Sequence, residues 1–165
     1  MFLSLKGIAL TYVDHMLVQH AGEIGFISFG VGRTTASGYS FAGLYGVDPS
    51  DSSKASSIET FTLRQTFPLF SYEKLDIYFG LNIFHPTHIR YRTEHYGEAP
   101  NGYYPIGAIR GLLNLGLRTR IQQATFFYLE GGLNDVQIVN WVNNLNVLNP
   151  INSVSLGLGY GHRFD

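Results

Sequence analysis

The stretch AIRGLLNLGLRTRIQQATFFYLEGGL, from Ala108 to Leu133, decides the fold. Apolar residues take every second position in two runs, which are separated by Gln122 and Gln123. Because successive side chains of a strand point to opposite faces, this period of two predicts two long strands joined by a tight turn. One face of the hairpin would be almost pure hydrocarbon, and the other would carry small, aromatic and charged groups. Such a hairpin fits a barrel with lipid outside or a barrel with water outside.

The composition limits the class of protein. The 165 residues predict one domain over 1–165, with no expected cofactor. Charged residues make up 14% of the chain, against about 25% in ordinary soluble domains, and aromatic residues make up 15%. The net charge of -1 argues against a nucleic-acid partner, and the absence of cysteine excludes disulfides and thiolate metal sites.

No part of the sequence is apolar for long enough to form a membrane-spanning helix. The stretch Met1–Met16 also lacks the continuous apolar middle of a secretory signal. We therefore expect that export would depend on a signal removed from, or lying outside, this sequence.

Alternation predicts eight strands and no helix. We place them at about Lys6–Met16, Glu23–Gly32, Tyr39–Val47, Glu59–Phe67, Leu75–Phe84, the two strands of the Ala108–Leu133 hairpin, and Ser153–Phe164. The first link would be Gln19–Gly22, and the turn after the fourth strand would be Pro68–Glu73. Short turns at 33–38, 68–73 and 121–123 alternate with longer loops at 48–57, 85–106 and after Asp135. An even strand number with this layout is typical of outer-membrane barrels.

The polar faces of these strands favour lipid on the outside. A soluble barrel would carry many Lys and Glu residues on its water-facing side, whereas this chain has three lysines, Lys6, Lys54 and Lys74. Only a helix or a closed barrel pairs every backbone group within lipid. The sequence therefore predicts an all-β fold, an eight-stranded antiparallel up-and-down transmembrane β-barrel in a bacterial outer membrane.

The C-terminal run LGLGYGHRF, from Leu156 to Phe164, resembles the closing strand of small eight-stranded bacterial outer-membrane β-barrel proteins. Those strands end in an aromatic residue, with aromatic or apolar residues at alternate positions before it. The resemblance implies recognition by the barrel-assembly machinery. Asp165 departs from the pattern, because it follows the aromatic residue.

Isolated charged and amide residues on the polar faces are predicted to form one hydrogen-bonded network in the lumen. The set is Arg64, Asp76, Asn82, Arg110, Asn114, Arg118 and Glu130. The turn positions place Asn114 opposite Glu130, and Arg64 diagonally from Asp76. The network would serve either as an ion or proton path, or as a structural plug that holds the register.

The loop 85–106 supports several interpretations. Arg90 and Arg92 suit contacts with lipopolysaccharide phosphates. His85, His88 and His95 are candidate metal ligands, but their spacing is not diagnostic, and we assign no metal site. An esterase site that pairs a His with a Ser and a carboxylate, or a solvated loop with an aromatic girdle, would use the same segment.

Lipid A deacylases are enzymes built on small outer-membrane barrels. That family has a His and a Ser two positions apart, followed by Asn, together with a carboxylate. The segments His85–His88 and Asn149–Ser153 do not reproduce this pattern. We therefore assign no catalytic residue.

The segment 136–151 contains no charge. Asn143 and Asn144 would close a hairpin that extends the last two strands and displays a ribbon for a protein partner or a second copy. The ribbon residues are Ile138, Val139, Trp141, Val142, Leu145 and Val147. The alternative is a lid over the barrel mouth, with Trp141 at the lipid interface.

These observations favour a non-catalytic anchor, scaffold or surface-interaction protein that contacts outer-membrane lipid and lipopolysaccharide. The first alternative is an enzyme acting on outer-membrane lipid, and the second is a soluble lipocalin-like carrier. A general pore is not expected, because eight strands leave an interior just filled by side chains.

Overall fold

The computed structural model describes residues 13–22, 24–48, 58–87, 109–143 and 154–164. These residues form eight strands and one helix: β1 His15–Ala21, β2 Ile27–Thr34, β3 Ser40–Asp48, β4 Ile58–Tyr72, β5 Leu75–Thr87, β6 Arg110–Arg120, β7 Thr125–Asn134, α1 Asp135–Asn143 and β8 Ser155–Arg163. Each strand pairs antiparallel with the next, and β8 pairs with β1, which closes the barrel. The predicted eight-stranded antiparallel barrel is confirmed.

The two faces of the strands separate as the alternation predicted. Leu115, Leu129 and Leu158 are 59%, 50% and 55% exposed on the outer wall. Asn114 and Glu130, next to them in sequence, are buried in the lumen. The hydrocarbon face therefore looks outward, and the inward face fills the barrel with polar residues and with apolar ones such as Leu44 and Leu112.

The two ends of the barrel differ. One end, called here the short-turn end, holds the turns at 35–39, 73–74 and 121–124, the start of β1 and the end of β8. At the other end, called the loop end, β3, β5 and β7 finish and β4, β6 and β8 begin. The turn between β1 and β2 also lies at the loop end but is short, as its sequence suggested.

The first strand lies further along the chain than predicted. β1 is His15–Ala21, so Gln19 is in the middle of the ladder, paired with Ser28 and Gly159, and does not begin a turn. The turn comes next, where Ala21 and Gly22 have φ values of 62° and 82°. The neighbouring sequence does not show that Gln19 is buried, because its hydrogen-bond partners in the lumen are distant in the chain. A polar residue of this kind is therefore easily assigned to a turn. The predicted residues 6–12 lie outside the described part.

β4 also runs beyond its predicted end. The predicted turn Pro68–Glu73 is mostly strand, and the chain reverses at Glu73 and Lys74. The register shifts between Pro68 and Phe70. This bulge accommodates a proline, which cannot donate to the ladder.

The hairpin predicted to close at Asn143 and Asn144 is wrong in its first half. Residues Asp135–Asn143 form the helix α1 and do not extend β7 as a strand. The amide of Gln137 donates to Asn134 Oδ1 at 2.8 Å, and the amide of Asn134 donates to Gln137 Oε1 at 2.8 Å. This reciprocal capping box begins the helix, and the spacing Asn-x-x-Gln was its sequence signal. In the described parts of the chain, no helix has both the length and the apolar character needed to cross a bilayer.

Candidate functional site: the lumen

A buried ion pair lies at the centre of the lumen. Arg64 comes from β4 and Glu130 from β7, and Arg64 Nη2 lies 2.9 Å from Glu130 Oε2. Both side chains are almost wholly buried. Because isolated buried charges are costly, a site of this kind requires each charge to be paired and hydrogen-bonded.

Three neutral side chains complete this centre. Gln19 accepts a hydrogen bond from Arg64 Nη1 at 2.7 Å and donates to Glu130 Oε1 at 2.9 Å. Tyr78 accepts from Arg64 Nη2 at 3.0 Å and donates to Glu130 Oε2 at 3.2 Å. Tyr128 donates to Gln19 Oε1 at 2.9 Å. We call these five residues the central plug.

The guanidinium of Arg64 also stacks against an aromatic ring. Its Cζ lies 4.4 Å from the centroid of the Tyr128 ring, within the range of a cation–π contact. The central plug therefore holds its cation by an anion, an amide, a hydroxyl and a ring face. This arrangement neutralises the charge, and it packs the middle of the lumen.

Glycines make room for the large side chains of the central plug. A Cβ atom at Gly159 would lie 2.0 Å from Tyr128 Cζ, and one at Gly116 would lie 2.2 Å from Tyr78 Cζ. A Cβ atom at Gly157 would lie 2.7 Å from Gln19 Nε2. Gly157 and Gly159 of β8 thus leave the space that Gln19 of β1 and Tyr128 of β7 occupy.

A second ionic cluster lies near the short-turn end. Arg118 Nη2 lies 3.1 Å from Asp76 Oδ2, and Arg120 Nη2 lies 3.6 Å from Asp76 Oδ1. Arg120 also donates to the Glu73 carbonyl at 2.7 Å. We call Asp76, Arg118 and Arg120 the turn-end cluster, which ties β5 and β6 to the turn beside them.

The seven residues predicted as one lumen network are divided among several places. Arg64 and Glu130 lie in the central plug, and Asp76 and Arg118 lie in the turn-end cluster. Arg110 pairs with Asp135 at 2.9 Å, near the loop end. The predicted neighbours also differ, since Asn114 lies opposite Gly132, and Arg64 is paired with Glu130 rather than with Asp76.

The remaining two predicted residues are buried beyond the central plug, toward the loop end. Asn82 Nδ2 and Oδ1 and Asn114 Nδ2 have no hydrogen-bond partner among the described residues. Asn82 lies beside Arg64 in the register, and Asn114 lies between Gly80 and Gly132. They form a polar layer next to the plug that is not joined to it by hydrogen bonds.

Gln19, Tyr78 and Tyr128 were not among the residues predicted for the lumen network. The two tyrosines could have been found, because each occupies an inward-facing position of its strand. Tyr78 lies opposite Gly116, and Tyr128 lies opposite Gly159. Gln19 was assigned to a turn, and only the true bounds of β1 place it inside the barrel.

A chain of polar contacts at the short-turn end has the connectivity of a Ser-His-Asp triad. An oxygen of Asp14 contacts His15 Nδ1, and His15 Nε2 lies 3.5 Å from Ser40 Oγ. Asp14 Oδ2 also accepts a hydrogen bond from the Thr34 amide nitrogen, with 2.7 Å between the two atoms. The cavity beside Ser40 measures about 20 Å³, which is room for about one water molecule and not for an acyl substrate. These contacts fasten the start of β1 to β2 and β3.

Among the described residues, no three His, Asp or Glu side chains are grouped to hold a metal ion. The predicted lipopolysaccharide contacts Arg90 and Arg92, and the candidate ligands His88 and His95, lie outside the described residues. His85 lies in β5. Of the predicted ribbon, Ile138, Val139 and Val142 are helical, the Trp141 side chain is outside what the structure describes, and Leu145 and Val147 follow the described helix.

Comparison with protein-family models, with curated proteins and with solved structures finds no match to this chain. The site must therefore be interpreted from its own geometry.

Proposed function

We propose that this chain is an integral outer-membrane β-barrel that acts as a non-catalytic anchor or surface-interaction protein. The observation that carries the proposal is the outer wall. Among the described residues, Lys, Arg, Asp and Glu take outward strand positions only near strand ends, at Arg33 and Glu59. A wall of exposed Leu, Ile and Phe around a polar lumen is suited to lipid and unsuited to water.

Aromatic pairs near both ends of the wall support the same proposal. Tyr39 and Phe67 lie 5.5 Å apart near the short-turn end, and Tyr45 and Phe61 lie 5.2 Å apart toward the loop end. Aromatic rings near the two rims are typical of membrane barrels, where they sit at the lipid–water interfaces.

The lumen supports a role other than transport. The central plug fills the middle of the barrel with side chains that satisfy one another, so a solute would have to break a buried ion pair to pass. A soluble carrier would need room for its cargo, whereas the lumen cavity beside Ser40 and Tyr78 measures about 20 Å³.

The interaction surfaces of this proposal are the outer wall and two connecting segments. Outer-membrane lipid would contact the wall, lipopolysaccharide would contact the loop 85–106, and a protein partner would contact the segment 136–151. On α1, Val139 and Val142 are 56% and 60% exposed, as a contact helix requires. The strand β8, with Phe164 directly after it, would be recognised by the barrel-assembly machinery.

Site-directed spin labels test the membrane location. The chain has no cysteine, so a single introduced Cys gives one label. Labels on the outer wall at positions 115, 129 and 158 should be accessible to oxygen and shielded from a water-soluble nickel complex after reconstitution into lipid vesicles. A label at Ser37, in the β2–β3 turn, is the water-exposed control. Equal nickel accessibility at all four positions would refute the proposal.

A further inference from the structure

An apolar groove with a volume of about 840 Å³ crosses the outer wall. Its floor is at Gly43 of β3, which lies between Val31 of β2 and Leu63 of β4. A Cβ atom built at Gly43 would have no atom within 4 Å. The groove is therefore open because a glycine occupies the outward position where the neighbouring strands carry large side chains.

The sides of the groove are hydrocarbon. Outward-facing residues from several adjacent strands supply them: Met16, Phe29, Val31, Phe61, Leu63 and Ile83. Since these positions point away from the lumen, the groove belongs to the outer surface and is separate from the central plug. Its volume is within the range typical of small-molecule sites.

Two polar side chains lie on the loop side of the groove, among the apolar Phe29 and Phe61. Tyr45 and His85 both line it, and both lie directly beside Phe61 in the register. Glu59 is the next outward residue of β4 toward the loop end and interacts with Tyr45. His85 Nδ1 has no hydrogen-bond partner among the described residues. The groove therefore has two polar groups on one side of an otherwise apolar lining.

We propose that this groove holds an acyl chain of a bilayer lipid, with the polar part of that lipid beside Tyr45 and His85. The inference rests on the membrane location proposed above. An acyl chain suits the groove because it has no polar group to satisfy, whereas a peptide segment would bring backbone amides against hydrocarbon. Because Tyr45 and His85 lie on the loop side of the groove, the polar part of the lipid would face the loop end of the barrel.

Filling the floor of the groove tests the proposal. Wild-type barrel, Gly43→Phe and Gly111→Phe would each be reconstituted with palmitoyl-oleoyl phosphatidylglycerol, returned to detergent and assayed by native mass spectrometry for retained lipid. Gly111 is the matched control, because it is outward-facing, a Cβ atom there also has no neighbour within 4 Å, and it does not line the groove. Gly43→Phe should retain about tenfold less lipid, the loss expected when roughly two methylene groups lose their contacts. The control should match the wild type.

Membrane insertion is measured first, by the heat-modifiable gel migration of all three proteins recovered from vesicles. If the wild type does not insert, the proposed function fails. If it inserts and all three proteins retain lipid equally, or if both variants lose it equally, the groove inference fails and the membrane proposal stands. A second variant, Val31→Trp, fills the groove from its side and should also reduce retention if Gly43→Phe does not assemble.

Discussion

Arg64 and Glu130 face each other across the lumen, with 2.9 Å between Nη2 and Oε2. Their strands, β4 and β7, are not neighbours in the barrel. The pair therefore bridges walls that share no backbone hydrogen bonds, and its side chains are only 6% and 3% exposed. Neither residue can lose its partner without leaving a buried charge.

Glu130→Gln should lower the free energy of unfolding by about 3–5 kcal/mol, because it leaves the Arg64 guanidinium buried without its counter-charge. The measurement is a urea titration of the detergent-solubilised barrel, in which gel mobility reports the folded fraction at each urea concentration. The control is Asp135→Asn, which breaks the part-exposed pair with Arg110 and should cost no more than about 1 kcal/mol. The double variant Arg64→Met with Glu130→Met should cost less than Glu130→Gln. Equal losses in Glu130→Gln and Asp135→Asn would contradict the assignment of the pair as buried.

Gly159→Ala should destabilise the barrel by about 1–3 kcal/mol, because the new methyl group would overlap the Tyr128 ring. The same titration measures the effect. Gly111→Ala is the control, since its Cβ atom meets open space outside the barrel. A second-site change, Tyr128→Leu, should relieve part of the Gly159→Ala defect. If Gly159→Ala and Gly111→Ala were equally stable, the close fit between glycine and tyrosine would be wrong.

Asn134→Ala should loosen α1 without opening the barrel. Removing the cap costs about 0.5–2 kcal/mol, so amide hydrogens of the helix should exchange about 2- to 30-fold faster. Hydrogen exchange with mass spectrometry of peptides covering 135–143 gives the readout. Val139→Ala, at an exposed helix position, is the control and should leave exchange near the wild-type rate. Unchanged exchange in Asn134→Ala would show that packing, not capping, starts the helix.

Phe164→Ser should reduce the amount of assembled barrel in cells, if the closing strand is recognised through its final aromatic residue. Phe164 lies beyond β8 and its ring lies 6.2 Å from that of His162. The readout is the heat-modifiable fraction in the membrane. Asp165→Asn is the control and should assemble normally, since it leaves the aromatic residue in place. Normal assembly of Phe164→Ser would remove the support for this recognition.

Much of the architecture was predictable because strand periodicity is a local property. The hairpin of β6 and β7 could be drawn from its own residues, whereas the outward direction of Leu115 and Leu129 was inferred from the scarcity of Lys and Glu in the whole chain. Gln19 was assigned to a turn because its role depends on partners that are distant in the chain. The helix that begins at Asp135 did have a local signal, the capping pair Asn134 and Gln137, in front of the uncharged segment 136–151.

The lumen could be predicted in content but not in arrangement. The alternation of side chains along each strand placed Arg64, Asp76 and Glu130 on the inner face, where the structure also has them. Which of them meet was a different question, because a partner across the lumen is chosen by barrel stagger and by the glycines that leave space. Arg64 pairs with Glu130 of β7. Asp76, which is closer to Arg64 in the sequence, pairs instead with arginines of β6.

The sequence by itself determined that the chain forms eight alternating strands with separate hydrocarbon and polar faces, since alternation acts between adjacent residues. Its scarcity of Lys and Glu then indicated that the hydrocarbon faces look outward. Only the tertiary structure decided which charges meet, that the centre is plugged, and that Gly43 opens a groove in the wall. Those features depend on closure of the barrel, which brings together side chains from strands far apart in the chain.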